Sequence, residues 1–342
     1  MTELYLHVGM PKTGTTFLQR HCFPHLAGMR YAHSANYRRI PLAGGPPGDL
    51  VELCDRLIFS HPTFFDPRAA ERWRDRLLAD AGGKILISRE RLFGNMTGGF
   101  RDHREITRRL ARLFPDARIV VVVRRQDDLL ESLYRQSLQA YYYYSVDDFL
   151  TFRRGRFASP PARTGEVNLD VGDFDLEAYV DGYLERFGGD RVLVLPYELL
   201  RREPRAFLER LYAFLGVEPY VPSSFPEVHR SYSFASCCLA LALNRFVRLP
   251  GRQLGLRPIP ERPFAGLLAE RPVGDRRQAL LAALDRRLSL RWLLQHVVDR
   301  LLPWRGRLIG ERKRRLILAR HRRSNRRLDR RLDLGLEGYG YY

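Results

Sequence analysis

Leu4-Tyr-Leu-His-Val-Gly-Met-Pro-Lys-Thr-Gly-Thr-Thr-Phe-Leu-Gln19 opens with an apolar run, Leu4 to Val8, that reads as a buried strand. A loop holding Gly9, Pro11 and Gly14 follows, and Thr15 leads into a helical pattern with apolar Phe17, Leu18 and Cys22. Strand, glycine loop and helix N-terminus together make a cradle for a phosphate. Backbone N–H groups converge on the anion, and the helix dipole favours its charge.

The spacing departs from a Walker A loop at one informative place. Gly9 and Gly14 keep the distance of Gly-x4-Gly-Lys-Ser/Thr, but Thr15 stands where the lysine belongs. The lysine lies inside the loop instead, at Lys12. It is one of only three lysines among 58 basic residues, which points to a compact ammonium being wanted there.

Two further strands are legible. Lys84-Ile-Leu-Ile-Ser-Arg-Glu-Arg91 carries Ser88, Arg89 and Glu90 at its polar end. In open α/β sheets ligands bind outside the carboxyl ends of strands, so Glu90 falls where chemistry would occur. Ala117-Arg-Ile-Val-Val-Val-Val-Arg-Arg125 is a β-branched run without alternation, as in a parallel strand buried on both faces. It ends in arginine where a Walker B strand would supply an aspartate for magnesium. Asp127 and Asp128 instead start the next helix, which carries Ser132 and Tyr134.

The Pro-Lys-Thr-Gly-Thr-Thr loop resembles the 5′-phosphosulfate loop of sulfotransferases that use 3′-phosphoadenosine 5′-phosphosulfate (PAPS). Arg124 followed by Ser132 is similar to that family's 3′-phosphate motif, although Gln126 replaces its proline and Leu129 its second arginine. The resemblance implies a P-loop-type doubly wound α/β domain with parallel central strands, over residues 1–233, and a basic helical C-terminal extension packed on it, over 234–342. It implies sulfuryl transfer from PAPS to an acceptor hydroxyl or amine, without a metal. Pro11, Lys12, Thr13, Gly14, Thr15 and Thr16 would hold the 5′-phosphate side, with Lys12 at the leaving oxygen. Arg124 and Ser132 would hold the 3′-phosphate; Arg230 and Ser231, in a loop returning past the last strand, are further cofactor candidates. Two positions match the family's catalytic base, Glu90 and His33. Val-Leu-Pro-Tyr-Glu198 resembles the second half of such domains, with Glu198 structural, and the Gly338-Tyr-Gly-Tyr341 tail resembles a bacterial group's C-terminal signature.

The net charge of +19 is concentrated late: residues 245–331 hold 25 Arg/Lys against 7 Asp/Glu. Such a block suits a polyanionic substrate, an anionic membrane surface or nucleic acid. As part of the enzyme it favours a glycan or glycolipid acceptor and peripheral membrane contact, with no nucleic acid expected. The tyrosines 141–144 either stack on sugar rings or pack a crowded helix end. Residues 153–175 read as a long surface loop, and apolar positions 290, 293, 294, 297, 298 and 301 form an amphipathic stripe, packed on the domain or lying on a membrane. No N-terminal signal pattern and no membrane-length apolar run occur, and the four cysteines lack metal or redox spacing, so a cytoplasmic setting is expected. Two other classes share parts of this pattern: a P-loop kinase or NTPase, and a non-enzymatic basic protein binding nucleic acid or membrane.

Overall fold

A computed structural model describes residues 2–32, 46–79, 81–140, 142–159, 169–225, 231–244, 290–304 and 306–342. They fall into two compact units: residues 1–129, 159–229 and 315–342, and residues 130–158 with 230–314.

The first unit is built on a five-stranded sheet of β1 (Thr2–His7), β2 (Met29–Ala32), β3 (Gly83–Ser88), β4 (Arg118–Val123) and β7 (Val192–Pro196). The order is β2-β3-β1-β4-β7 and every pairing is parallel. Leu4 lies opposite Ile85, and Leu6 opposite both Ile87 and Ile119. Ile119 to Val123 are buried throughout, because helices cover both faces of a parallel sheet. β1 sits between β3 and β4, so the chain segments leaving all three carboxyl ends, after His7, Ser88 and Val123, converge on one edge.

The connecting helices are α1 (Thr15–Phe17), α2 (Leu50–Phe59), α3 (Pro67–Ala79), α4 (His103–Leu113), α5 (Gln126–Gln139), α6 (Val146–Phe149), α7 (Leu176–Phe187), α8 (Tyr197–Arg202) and α9 (Pro204–Leu215). Their ends follow local chemistry. Asp49 caps α2 by accepting from the Glu52 N–H at 2.7 Å, and Asp175 caps α7. Pro204 starts α9 and Gly216, at φ 60°, stops it. Lys84 Nζ then donates to the terminal carbonyls of α9 at Leu215 and Gly216, a cation placed on the negative end of the helix.

The helix expected after the glycine loop takes a different form. Only Thr15–Phe17 is α-helical; Leu18–Cys22 is a π-helix, and Phe23–His25 a 3₁₀ turn. The five-residue turn sets Phe23 over Leu18, and both are buried. β2, at Met29–Ala32, was not anticipated from its short, mixed sequence. The loop expected over 153–175 holds a small antiparallel hairpin at its start, β5 (Phe152–Arg153) with β6 (Arg156–Phe157), and a 3₁₀ turn at Val171–Asp173.

The second unit includes α6, the hairpin, most of α5, the segment Phe234–Leu243 and the region from Leu290. Glu131 organises it, accepting from the Leu308 and Ile309 N–H groups at 2.9 and 2.8 Å and pairing with Arg135. The apolar stripe expected over 290–301 is broken, and of its members only Leu294 is buried. The Leu294–Val298 stretch is π-helical, and the wider turn throws the 3.6-residue stripe out of phase. Among the described residues no helix is long and apolar enough to cross a membrane.

Candidate active site

Three loop residues, Gly9, Lys12 and Gly14, have positive φ, at 25°, 70° and 81°. For Lys12 this conformation is costly, by about 1–2 kcal/mol, and something must hold it. Arg124 does so: its Nη1 donates to the Lys12 carbonyl at 2.7 Å. Thr13 hooks the loop from the other side, its hydroxyl donating to the Met10 carbonyl. Gly14 is required twice over, since a Cβ there would stand 2.7 Å from Leu200 Cδ2 and 3.2 Å from the Tyr197 ring. The loop is thereby seated against the first turns of α8.

The site contains a polar atom that the fold buries without using: Arg124 Nε has no hydrogen-bond partner among the described residues. A buried unsatisfied donor costs about 1–3 kcal/mol, and an external acceptor beside the strained loop would relieve it. An anion meets that requirement, and the residues present fit a phosphate group.

Glu90 reaches this place from β3, half-buried at the start of a 3₁₀ turn. Burial raises its carboxyl above the usual range, while the Thr15 hydroxyl and the Lys12 and Arg89 charges pull it back. The same influences locate it beside the glycine loop. Its neighbour Arg89 is committed elsewhere, donating through Nε at 2.8 Å to Asp55 in a buried ion pair.

Arg124 directly follows β4, with its guanidinium 4.8 Å over the Tyr197 ring. Glu198, next along, is buried and accepts from the Arg125 N–H at 3.2 Å and from the Tyr341 hydroxyl at 2.6 Å. It is structural, as its sequence suggested. α8 thus supports both halves of the site, Gly14 and Arg124.

Of the remaining candidates, Pro11 and Thr13 are buried in the loop and Thr16 is half-buried on its first helical turn. Ser132 is half-buried on α5 and Ser231 is exposed, both in the second unit. His33 and Arg230 lie outside the described residues, as does Tyr141. Tyr142, Tyr143 and Tyr144 stack on one another, with Tyr142 and Tyr144 centroids 5.6 Å apart.

Sequence reasoning missed His7 and Tyr197. His7 is fully buried beneath the loop, with Nδ1 2.7 Å from Ser88 Oγ, which also receives the Gln19 amide at 3.0 Å. His7 Nε2 has no partner among the described residues, and burial alone pushes the ring's pKa down to about 3. The clue was a histidine inside an otherwise apolar strand, directly before the loop.

Fold and site together define an α/β protein with a glycine loop at the carboxyl edge of a parallel sheet. Residues 100–222 match the model of the sulfotransferase family. The match includes β4, Arg124 and α8; the Lys12 loop precedes it. No curated protein matches the chain. Among solved structures it is similar to a sulfotransferase from Alicyclobacillus acidocaldarius, at 21% identity over 67% of this chain and 87% of that one, with a TM-score of 0.43. A sulfotransferase domain from the curacin biosynthetic pathway shares 15% identity over 65% and 76%, TM-score 0.35. Mouse sulfotransferase SULT7A1, complexed with PAP, shares 17% over 64% and 60%, TM-score 0.32.

Proposed function

We propose that this protein transfers a sulfuryl group from PAPS to a hydroxyl or amine of an acceptor. The observation that carries the reading is the link from Arg124 to the Lys12 carbonyl, with Arg124 Nε buried and unspent beside it. The family match over residues 100–222 supports the same class of reaction.

In this reading Gly14, Thr15 and Thr16 bind the 5′-phosphate, with Pro11 and Thr13 shaping the loop, and Arg124 binds the 3′-phosphate. The assignment of Ser132 to that phosphate, and of Arg230 and Ser231 to the nucleotide, rests on sequence alone. Lys12 stabilises the negative charge that develops on the bridging oxygen as its bond to sulfur breaks. Glu90 accepts the proton of the acceptor as the new bond to sulfur forms. A carboxyl raised by burial is suited to that task near neutral pH. His33 is the alternative base from sequence. The reaction needs no metal in this scheme. Residues 1–233 are read as the catalytic domain and 234–342 as its basic extension. The late positive charge favours an anionic glycan or glycolipid acceptor, met from the cytoplasmic side of a membrane surface.

The test is calorimetric binding of 3′-phosphoadenosine 5′-phosphate (PAP) in EDTA, against ATP with Mg²⁺, on wild type, Lys12→Ala and Arg124→Ala. Metal-free PAP binding that weakens in Arg124→Ala is the expected result. Preference for Mg·ATP would replace the reading with a kinase or NTPase.

A further inference from the structure

The last residues of the chain pack against Arg125 and Glu198, the neighbours in sequence of Arg124 and Tyr197. Asp329 holds the tail after the C-terminal helix Glu311–Leu332, accepting from the Leu336 N–H at 3.0 Å and the Tyr342 hydroxyl at 2.7 Å. Asn325 and Gln126, both fully buried, exchange amide hydrogen bonds of 2.8 and 3.1 Å, and Asn325 also donates to the Tyr341 carbonyl at 3.0 Å. Gly340, at φ 76°, passes so close to Arg125 that a Cβ would lie 3.2 Å from its Nη1. The Tyr341 ring is completely buried.

What the tail holds in place is a carboxylate. Glu198 adjoins Tyr197, whose ring carries the Arg124 guanidinium, and its two oxygens have one partner each: Arg125 N–H on Oε1, Tyr341 hydroxyl on Oε2. A buried carboxylate that loses one of these donors seeks another, and the arginines are the cations at hand. Both Arg124 and Arg125 are close enough to act electrostatically on the Tyr341 phenol.

We propose that Tyr341 is a positioning residue: its hydroxyl holds Glu198 away from Arg124, keeping that guanidinium open for the nucleotide's 3′-phosphate. The proposal rests on the PAPS reading above. It makes the C-terminal tail a determinant of selectivity for 3′-phosphorylated nucleotides.

The experiment compares PAP with adenosine 5′-phosphate by calorimetry on the full-length chain. Losing a hydrogen bond to a buried charge predicts about a tenfold or greater loss of PAP affinity in Tyr341→Phe. Adenosine 5′-phosphate, which lacks the 3′ group, should bind as tightly as to wild type. Adding Glu198→Gln, which removes the competing charge, should restore PAP binding to Tyr341→Phe. A Tyr341→Phe protein that binds PAP like wild type, or loses both ligands equally, overturns the proposal. So does a double variant weaker than the single one, or PAP loss in Tyr341→Phe that matches a fall in its melting temperature. The failures of the two readings are distinguishable: a wild type with no preference for PAP over adenosine 5′-phosphate removes the sulfotransferase reading itself.

Discussion

His7 makes the first unit sensitive to acid in a way that can be isolated. It is fully buried, with Nδ1 2.7 Å from Ser88 Oγ, and burial pushes its folded pKa from 6.5 down to about 3. A depressed folded pKa gives stability that is complete above the unfolded value of 6.5 and is lost as pH falls from there toward 3, because the unfolded chain gains a proton the folded one refuses. At about pH 5, roughly 1.5 units below the unfolded value, the loss is about 2 kcal/mol, at 1.36 kcal/mol per unit. His7→Asn keeps an acceptor for Ser88 and removes the titration. Its packing defect is independent of pH and cancels when each protein is compared with itself at pH about 7.5 and about 5. Urea unfolding should be followed by Trp73, in the first unit under the Arg56 guanidinium, after Trp292 and Trp304 are replaced by Phe. The histidine protein should lose about 2 kcal/mol more than the asparagine variant over that interval. Equal losses would refute a neutral, desolvated His7.

Three further outcomes follow from the same geometry. Gly14→Ala places a Cβ at φ 81° against Leu200 and Tyr197, so thermal unfolding should show about 1–3 kcal/mol of destabilisation and calorimetry a loss of PAP binding; an unchanged protein would contradict the packing of the loop on α8. Asp55→Ala leaves Arg89 buried without its carboxylate and should cost about 3–5 kcal/mol in denaturant unfolding, whereas a cost below about 1 would show that the pair is solvated. Glu90 has a raised folded pKa, so its contribution to stability is full below the ordinary value of 4.5 and is lost as pH rises through the folded value. Glu90→Gln should therefore gain stability relative to wild type between acid and neutral pH while sulfuryl transfer falls by about 10²-fold or more; full turnover with intact PAP binding would remove Glu90 from the chemistry.

Much of this molecule is written locally. The β-branched run of β4 needs burial on both faces wherever it goes, and Pro204 with Gly216 brackets α9 by backbone chemistry alone. The Lys12 loop and Arg124 were legible because glycine spacing and a terminal arginine are short-range signals. Elements that failed to announce themselves depend on distant partners. β2 is four residues long and becomes a strand by pairing with β3, more than fifty positions later. The stripe over 290–301 has helical period in sequence, but a π turn shifts its phase, and no periodicity count contains that turn.

The same division runs through the site. A reader of residues alone can place Lys12, Glu90 and Arg124 at strand ends, since loops after parallel strands share one edge of the sheet. Only the tertiary structure decides that Arg124 clamps the Lys12 carbonyl across 112 positions, or that Tyr341 meets Glu198 across 143. Spacing and propensity report forces between neighbours in the chain. Which buried donor satisfies which buried acceptor is settled when the whole fold excludes water, and that brings Tyr197 under Arg124 and the C-terminal tail onto Glu198.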